Sequence, residues 1–395
     1  MDFELTDEQV LFRDSVARFA ENELAADKVA RAMSGAFPFD VARRCAEIGL
    51  LGITIPQADG GQGGRLIDAV LAIQAVAAHC PRSADVVQAG NFGAIRTFAQ
   101  YATPMQKERF LPGLLAGTET MAVGMTEAEA GSAVTELATS ATPDGSGYRI
   151  KGSKVFGTHS GEAQVFLVYV RFGPGVGGIG SVLIERGAEG FTIGRPSAFM
   201  NGEAWCELHF DNVFVPSSNV LLGPGGFKKQ IAGFNVERLG NASRAVAVGR
   251  HAFDVAREHA LTRKQFGRPL CEFQGLQWKF AEMLVKLDSA QLLLMRAVTR
   301  ADRGLPSAQD TAMAKLACNE AGFFAANEAM QVMGGYGVSE DSIVQYCFRR
   351  TRAWMIAGGS LEILKNRIAE GVFDRRFPQR PETPAAAGPR GEARK

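Results

Sequence analysis

Residues 227–266 read FKKQIAGFNVERLGNASRAVAVGRHAFDVAREHALTRKQF. The run predicts a long helix, and helical patterning continues from it for about 150 residues. What precedes it fixes the rest of the fold. From about residue 119 the pattern is one of strands: ETMAVGM, ELATSAT, YRIKGSKVF, QVFLVYVRF, GSVLIERG, FTIGRP and CELHFDNVFVP, separated by Gly, Pro, Asp and Asn turns. Upstream, residues 5–118 read as helices. Thr6 with Gln9 can form a capping box ahead of LFRDSVARFAENELA, and breaks fall at GAFPF (35–39), IPQADGGQGGR (55–65) and CPRS (80–83). The expected fold is α+β and multidomain: a helical domain over 1–118, a compact antiparallel β domain over 119–226 and a helical domain over 227–378. The tail, 379–395, is too poor in apolar residues to fold and is expected to be disordered.

Composition narrows the function classes. The 395 residues are 46% apolar and 22% charged, ordinary for a soluble globular protein. Forty-three basic against forty-two acidic residues leave a net charge of +1, with no basic stripe to follow a phosphate backbone, so nucleic acid is not an expected partner. Six scattered cysteines without CxxC, and five histidines without ligand spacing, predict reduced thiols and no metal. No run of 18 apolar residues occurs and no basic leader precedes the first helix, so a cytoplasmic protein without membrane insertion is expected.

Two glycine-rich stretches carry no cofactor signal. GVGGIG (175–180) fits GxGxxG, but the strand pattern SVLIERG follows it where a dinucleotide site needs a helix N-terminus, so it reads as a hairpin loop. GGQGG (60–64) reads as a flexible connection rather than a phosphate cradle.

Four segments carry a joint signal: MTEAEAGSA (125–133), GSKVFGTHS (152–160), RKQFGRPLCEFQ (263–274), and QVMGGYG (331–337) with IAGGSLEILKN (356–366) behind it. In that order, on an α, a β and an α domain, they resemble the acyl-CoA dehydrogenase family over about residues 1–375. The resemblance implies a C-terminal four-helix bundle, FAD bound between the β domain and the C-terminal helices, and a homo-oligomer, dimer or tetramer. It further implies an acyl-CoA substrate and electron transfer to an electron-transfer flavoprotein.

A flavin needs an aromatic or apolar wall, hydrogen bonds at its pyrimidine edge and N5, and donors for its pyrophosphate. By resemblance Thr126 lies at the flavin ring with the backbone of Val123 and Met125 close by, and Ser132 is the serine near the ligands. Phe156 matches the aromatic beside the isoalloxazine, and Thr158 the hydroxyl near N5. A neighbouring subunit's FAD would meet Arg263 at its pyrophosphate, flanked by Phe266, Phe273 and Gln274. Gln331, Gly334 and Gly335 would let backbone approach its adenosine half, with Ser360 and Glu362 also on the cofactor side. Two departures stand out. His159 replaces the usual Asn after Thr158 and reads as a solvated loop histidine, with a substrate-facing role as the alternative. Arg349-Arg350 replaces Arg-Asp, so an ion pair there is lost or replaced.

Relatives place the α-proton base either just before the Gly-Thr of the C-terminal motif or on the long helix immediately before an arginine. The first position is Gly358 here, followed by Gly359 and Ser360, and glycine cannot act as a base. The second is Glu237, followed by Arg238, as in isovaleryl- and long-chain-type members. Gly233, Gly240 and Asn241 lie at i−4, i+3 and i+4 from Glu237, which predicts a low helix face with room for a ligand. A solvated surface Glu-Arg pair is the competing reading, against which stands the apolar run AVAVG that follows. The expected reaction is α,β-dehydrogenation of an acyl thioester to the trans-2-enoyl product, with the β hydrogen passing as hydride to flavin N5. Backbone N–H near Gly358 or Gly359 and a ribityl hydroxyl would polarise the thioester carbonyl, and Asn235 and Arg238 would lie on the CoA arm. Rival functions on the same scaffold are a dehydrogenase of carrier-protein-bound thioesters, a flavin monooxygenase or eliminating enzyme, and a non-enzymatic binding protein.

Overall fold

The computed structural model describes residues 4–304 and 307–377; the tail expected to be disordered lies outside them. Seven helices come first: α1 (Asp7–Leu24), α2 (Lys28–Met33), α3 (Phe39–Glu47), α4 (Leu66–His79), α5 (Ala84–Ala89), α6 (Gly93–Tyr101) and α7 (Pro104–Leu115). Sequence chemistry sets their starts. Thr6 and Gln9 close the expected capping box on α1, and Thr103 with Gln106 does the same on α7, where Pro104 stands in the first turn.

Strands follow: β1 (Met121–Gly124), β2 (Ser140–Asp144), β3 (Gly147–Thr158), β4 (Val165–Arg171), β5 (Ile179–Glu185), β6 (Phe191–Ile193), β7 (Ser197–Ala198), β8 (Ala204–Pro216) and β9 (Val220–Leu222). Their order is β6-β8-β3-β2-β4-β5-β9, with β7 also on β8 and β1 also on β4. The expectation of an antiparallel domain needs correction, because the sheet is mixed. β1 pairs with β4 in parallel, Met121 opposite Val165 through Gly124 opposite Val168, and β2 meets β4 in parallel at Ser140 and Arg171. The cause is connectivity: β1 reaches β4 only through a long excursion that contains the β2–β3 hairpin, and a connection of that length permits parallel pairing. GVGGIG does form the β4–β5 loop. GGQGG is tied down by backbone bonds from Gly61, Gln62, Gly63 and Gly64 to residues 52–56.

The long helix is α8 (Phe227–Thr262). After it come a short exposed hairpin, β10 (Lys264–Gln265) and β11 (Arg268–Pro269), and then α9 (Gln274–Ala301), α10 (Ala308–Met333), α11 (Gly335–Val338), α12 (Ile343–Trp354) and α13 (Leu361–Val372). α8, α9, α10 and α12 pack as the expected bundle, and α4 lies against both α1 and α8. One apolar cluster therefore runs without interruption from Val16, Val41, Val70 and Phe92 of the first helices to Val236, Leu239, Leu287 and Ala325 of the last ones.

Candidate active site

Glu237 lies where α8 meets the N-terminal helices. Gln88 at the end of α5 donates from Nε2 to both carboxylate oxygens, at 2.8 Å each. Gly93, the first residue of α6, stands so close that a Cβ there would lie 3.4 Å from Oε2. Burial pushes the Glu237 carboxyl above the usual carboxylate range, while Arg244, the Gly93 N–H, Gln88 and Lys315 pull the other way. The low helix face expected around Glu237 exists, but protein fills it. A Cβ on Gly240 would come within 2.6 Å of the Phe92 ring, and one on Gly233 within 2.9 Å of Thr97 Oγ1. These glycines allow α6 and the loop before it to seat on α8, and Asn241 is taken by Asn319 Nδ2 at 2.9 Å. Local spacing could not reveal this, because the filling side chains come from a segment about 150 residues away in sequence.

Arg238 connects this helix to the turn after α12. Its Nε donates to Gly358 O at 3.3 Å and its Nη1 to Asn235 Oδ1 at 3.1 Å. Burial lowers its pKa to about 10, with Arg367 adding to the effect. The sequence-predicted residues Asn235, Arg238, Glu237, Gly358 and Gly359 are thus joined through α8. Gly358 and Gly359 have φ of 73° and 98°, where an L side chain is strained, so the empty base position is also a poor place for a carboxylate.

The β domain contributes an aromatic wall. Between Lys154 and Gly157 the register of β3 against β8 slips, and in that bulge Phe156 takes φ 60° and turns outward, about half exposed. Trp205 lies 4.6 Å from it ring to ring and Phe199 6.3 Å. Thr158, Thr126, Met125 and Val123 border it: Val155 N donates to Thr126 O, and a Cβ on Gly157 would reach 3.1 Å from Val123 O. Ser132 is exposed on the loop beyond. A buried brace unread in the sequence holds this edge. Lys154 Nζ donates to Glu127 Oε1 at 2.7 Å and to Met125 O at 3.2 Å, while Glu127 also accepts from Ala138 N and Thr139 N.

Both sequence departures meet in one place, and the solvated reading of His159 is overturned. His159 is buried, edge-on to Phe37, with Nε2 3.5 Å from Glu203 Oε1. Burial drops its pKa to about 4, so it is neutral near pH 7. Its φ of 60° turns the chain inward directly after Thr158. Glu203 also pairs with Arg350 and Arg82, and Asp85 with Arg82 at 3.0 Å, Arg244 at 2.8 Å and Arg350 at 2.9 Å. The Arg244 and Arg350 guanidiniums lie 4.7 and 4.8 Å from the centre of the Trp354 ring. The ion pair in question is therefore replaced, by a buried cluster that draws on all three parts of the chain.

The remaining cofactor-side residues lie elsewhere. Arg263, Gly334 and Gly335 line an open groove of about 550 Å³ together with His259, Tyr336 and Ser339. Gln331 closes the turn beneath it through its carbonyl, which accepts from Gly334 N. Phe266, 94% exposed at the tip of the hairpin, meets edge-on the ring of Phe273 just before α9, but neither lines the groove, and neither does Gln274. Ser360 stands at the N-cap position of α13 without a side-chain cap bond, and Glu362 is exposed in the first turn, where its own N–H and the Ser360 hydroxyl hold its carboxyl low. No hydrogen bond or ring contact among the described residues links this groove to the Phe156 wall.

Family profiles match in the same order as the three structural units. The N-terminal domain of acyl-CoA dehydrogenase matches residues 6–118, its middle domain 122–213 and its C-terminal domain 224–373. The chain belongs to the acyl-CoA dehydrogenase family. Acryloyl-CoA reductase (NADH) of Anaerotignum propionicum is 34% identical over 95% of this chain and 97% of its own. 3-Sulfinopropanoyl-CoA desulfinase of Paraburkholderia xenovorans is 31% identical over 96% and 99%. The structure of butyryl-CoA dehydrogenase from Megasphaera elsdenii superposes with a TM-score of 0.88 at 30% identity, covering 94% of this chain and all of the other. Acyl-CoA dehydrogenases are flavoprotein oxidoreductases acting on CH–CH bonds. This chain has an outward-turned aromatic wall with backbone polar groups beside it, and a groove whose Arg263 has no carboxylate partner among the described residues. No helix among the described residues is long and apolar enough to cross a membrane.

Proposed function

We propose that the protein dehydrogenates an acyl-CoA thioester to its trans-2-enoyl form with FAD, Glu237 taking the α proton. The observation that carries this reading is the setting of Glu237: a carboxylate sunk beside Gly93, held by the Gln88 amide on both oxygens and by nothing cationic in direct contact. Such a group is oriented, yet its pKa is raised toward the range useful for a base acting on a weakly acidic carbon. The C–H electron pair at the α carbon becomes the new double bond as the β hydrogen leaves. FAD, when bound, supplies the acceptor for that hydrogen, as hydride at N5. On the chain's side, Phe156, Thr158, Thr126, Met125, Val123 and Ser132 would hold the ring. Arg263, Gln331, Gly334 and Gly335 would hold the adenosine half of a second subunit's FAD, with Phe266, Phe273 and Gln274 beside it, while Ser360 and Glu362, next to Gly359 near the other end of α8, would lie on the cofactor side of the acyl pocket. The exposed Phe266 supports a homo-oligomer in which a partner covers that hairpin. Asn235 and Arg238 would flank the CoA arm, and Gly358 and Gly359 leave acyl space for branched or bulky groups. An electron-transfer flavoprotein is the proposed acceptor of the electrons.

The test is anaerobic mixing with a panel of acyl-CoAs. The wild type should bleach in its flavin band, and Glu237→Gln should keep FAD and ligand binding while flavin reduction slows about 10²-fold or more. Near-wild-type reduction by that variant would remove Glu237 from the role, and extraction of FMN instead of FAD would remove the cofactor assignment.

A further inference from the structure

Lys315 on α10 is the most unexpected charge in the molecule: an ammonium with none of its surface exposed, in the otherwise small and apolar run AMAKLAC. A buried ammonium is costly unless its protons are accepted. No carboxylate among the described residues accepts them. Nζ donates to Trp354 O at 3.2 Å, a carbonyl left over at the end of α12, and to Gly359 O at 3.0 Å. Burial, reinforced by Arg238 and Arg244 and opposed by Glu237, brings its pKa down to about 7.

The two carbonyls are the two ends of the turn that carries Gly358 and Gly359. That turn has little of its own to define it. Ile356 N and Ala357 N bond back to Ala353 O, but the N–H groups of Gly358 and Gly359 have no partner among the described residues. Both glycines sit at positive φ, and glycine has the greatest conformational freedom to lose, so ties from outside must fix them. There are two. Arg238 holds Gly358 O, and Lys315 holds Gly359 O while also anchoring the start of the turn at Trp354. Because a peptide group is planar and trans, fixing a C=O fixes the direction of the N–H on the same plane. Tying Gly358 O therefore aims Gly359 N–H, and tying Gly359 O pins the other plane at that residue. The N–H on the plane of Gly359 O is that of Ser360, so Lys315 acts on the Gly358 and Gly359 N–H groups by fixing the two ends of the turn, not by polarising their peptides.

We propose that Lys315 is a positioning residue for the thioester carbonyl: it holds the 354–359 turn so that the unpartnered N–H groups of Gly358 and Gly359 are presented to that oxygen. The inference rests on the function proposed above, and its test separates the two. FAD-loaded wild type and Lys315→Met are titrated with crotonyl-CoA, a thioester, and with S-butyl-CoA, the thioether lacking the carbonyl, each followed by the shift of the flavin absorbance. The wild type should bind the thioester more tightly than the thioether. In Lys315→Met that preference should fall about tenfold, the worth of one hydrogen bond, while thioether binding stays within about twofold. Lys315→Gln, which keeps a donor of shorter reach, should fall between, and it carries the same comparison if the Met variant does not fold. An unchanged thioester preference overturns the proposal. Equal weakening of both ligands also overturns it, since that marks a merely structural lysine, and so does a wild type without any preference for the thioester. Absence of flavin bleaching by every acyl-CoA would instead refute the function on which it rests.

Discussion

In the proposed reaction Glu237 must be ionised to accept a proton, and its burial opposes that. The rate of flavin reduction should therefore fall as the pH drops through a value above the ordinary carboxylate range. The Gln88 amide works against the shift, because its two hydrogen bonds favour the anion. Gln88→Leu should move the acid limb to still higher pH and leave the alkaline plateau near wild type, as stopped-flow reduction across a pH series would show. A limb that stays in place would mean that Gln88 only packs. At this scale the sequence was half legible. Glu237 stands out in the sequence as a charge in an apolar helix, and Lys315 carries the same signal in AMAKLAC. Gln88 carries none: it lies 149 residues from its partner in a segment that reads as ordinary helix.

Among the elements, α8 and α10 set the tightest spacing. Gly249 and Gly322 face one another so closely that a Cβ on Gly322 would sit 2.2 Å from Ala245 O, a backbone atom that cannot swing aside. Gly322→Ala should cost about 1–3 kcal/mol, the usual range for overpacking, whereas Gly275→Ala, in the first turn of α9 with nothing within 4 Å of a new Cβ, should be neutral or gain up to about 1 kcal/mol. Denaturant melts of the two variants measure the difference, and similar effects from both would discredit the close crossing. Helices and strands were legible because their chemistry is local: capping residues, period and turn glycines. The parallel placement of β1 was not, since pairing partners more than 40 residues apart leave no mark on either strand. The burial of His159 was missed for a related reason. A positive φ directs it inward, and no local pattern announces that for a histidine between a threonine and a serine.

For the molecule as a whole, two neutral histidines govern the first response to acid. Burial holds His159 and His251 at about 4. An unfolded chain binds protons on both below about pH 6.5, and the folded one does not until about 4, so stability falls as the pH drops across that window, by at most about 1.4 kcal/mol per pH unit for each. The raised carboxyls of Glu162, Glu237, Asp254 and Asp302 work in the opposite direction. The clean measurement is therefore a difference: the slope of melting temperature against pH should be shallower in His251→Gln than in wild type, and equal slopes would refute the assignment. Asp85 and Glu203, held low by their arginines, give way only at more acid pH. The apolar cluster running from Val16 to Ala325 has its own bearing on how the chain comes into being. During synthesis the first helices emerge long before α8 and α10 exist to cover them, and they must wait on the ribosome with an unfinished interior. A fragment ending at residue 118 should consequently bind a dye that reports loose apolar surface and melt without a cooperative transition, although profile matching marks it as a domain. On that expectation, the first helices would complete their interior only when the last ones arrive.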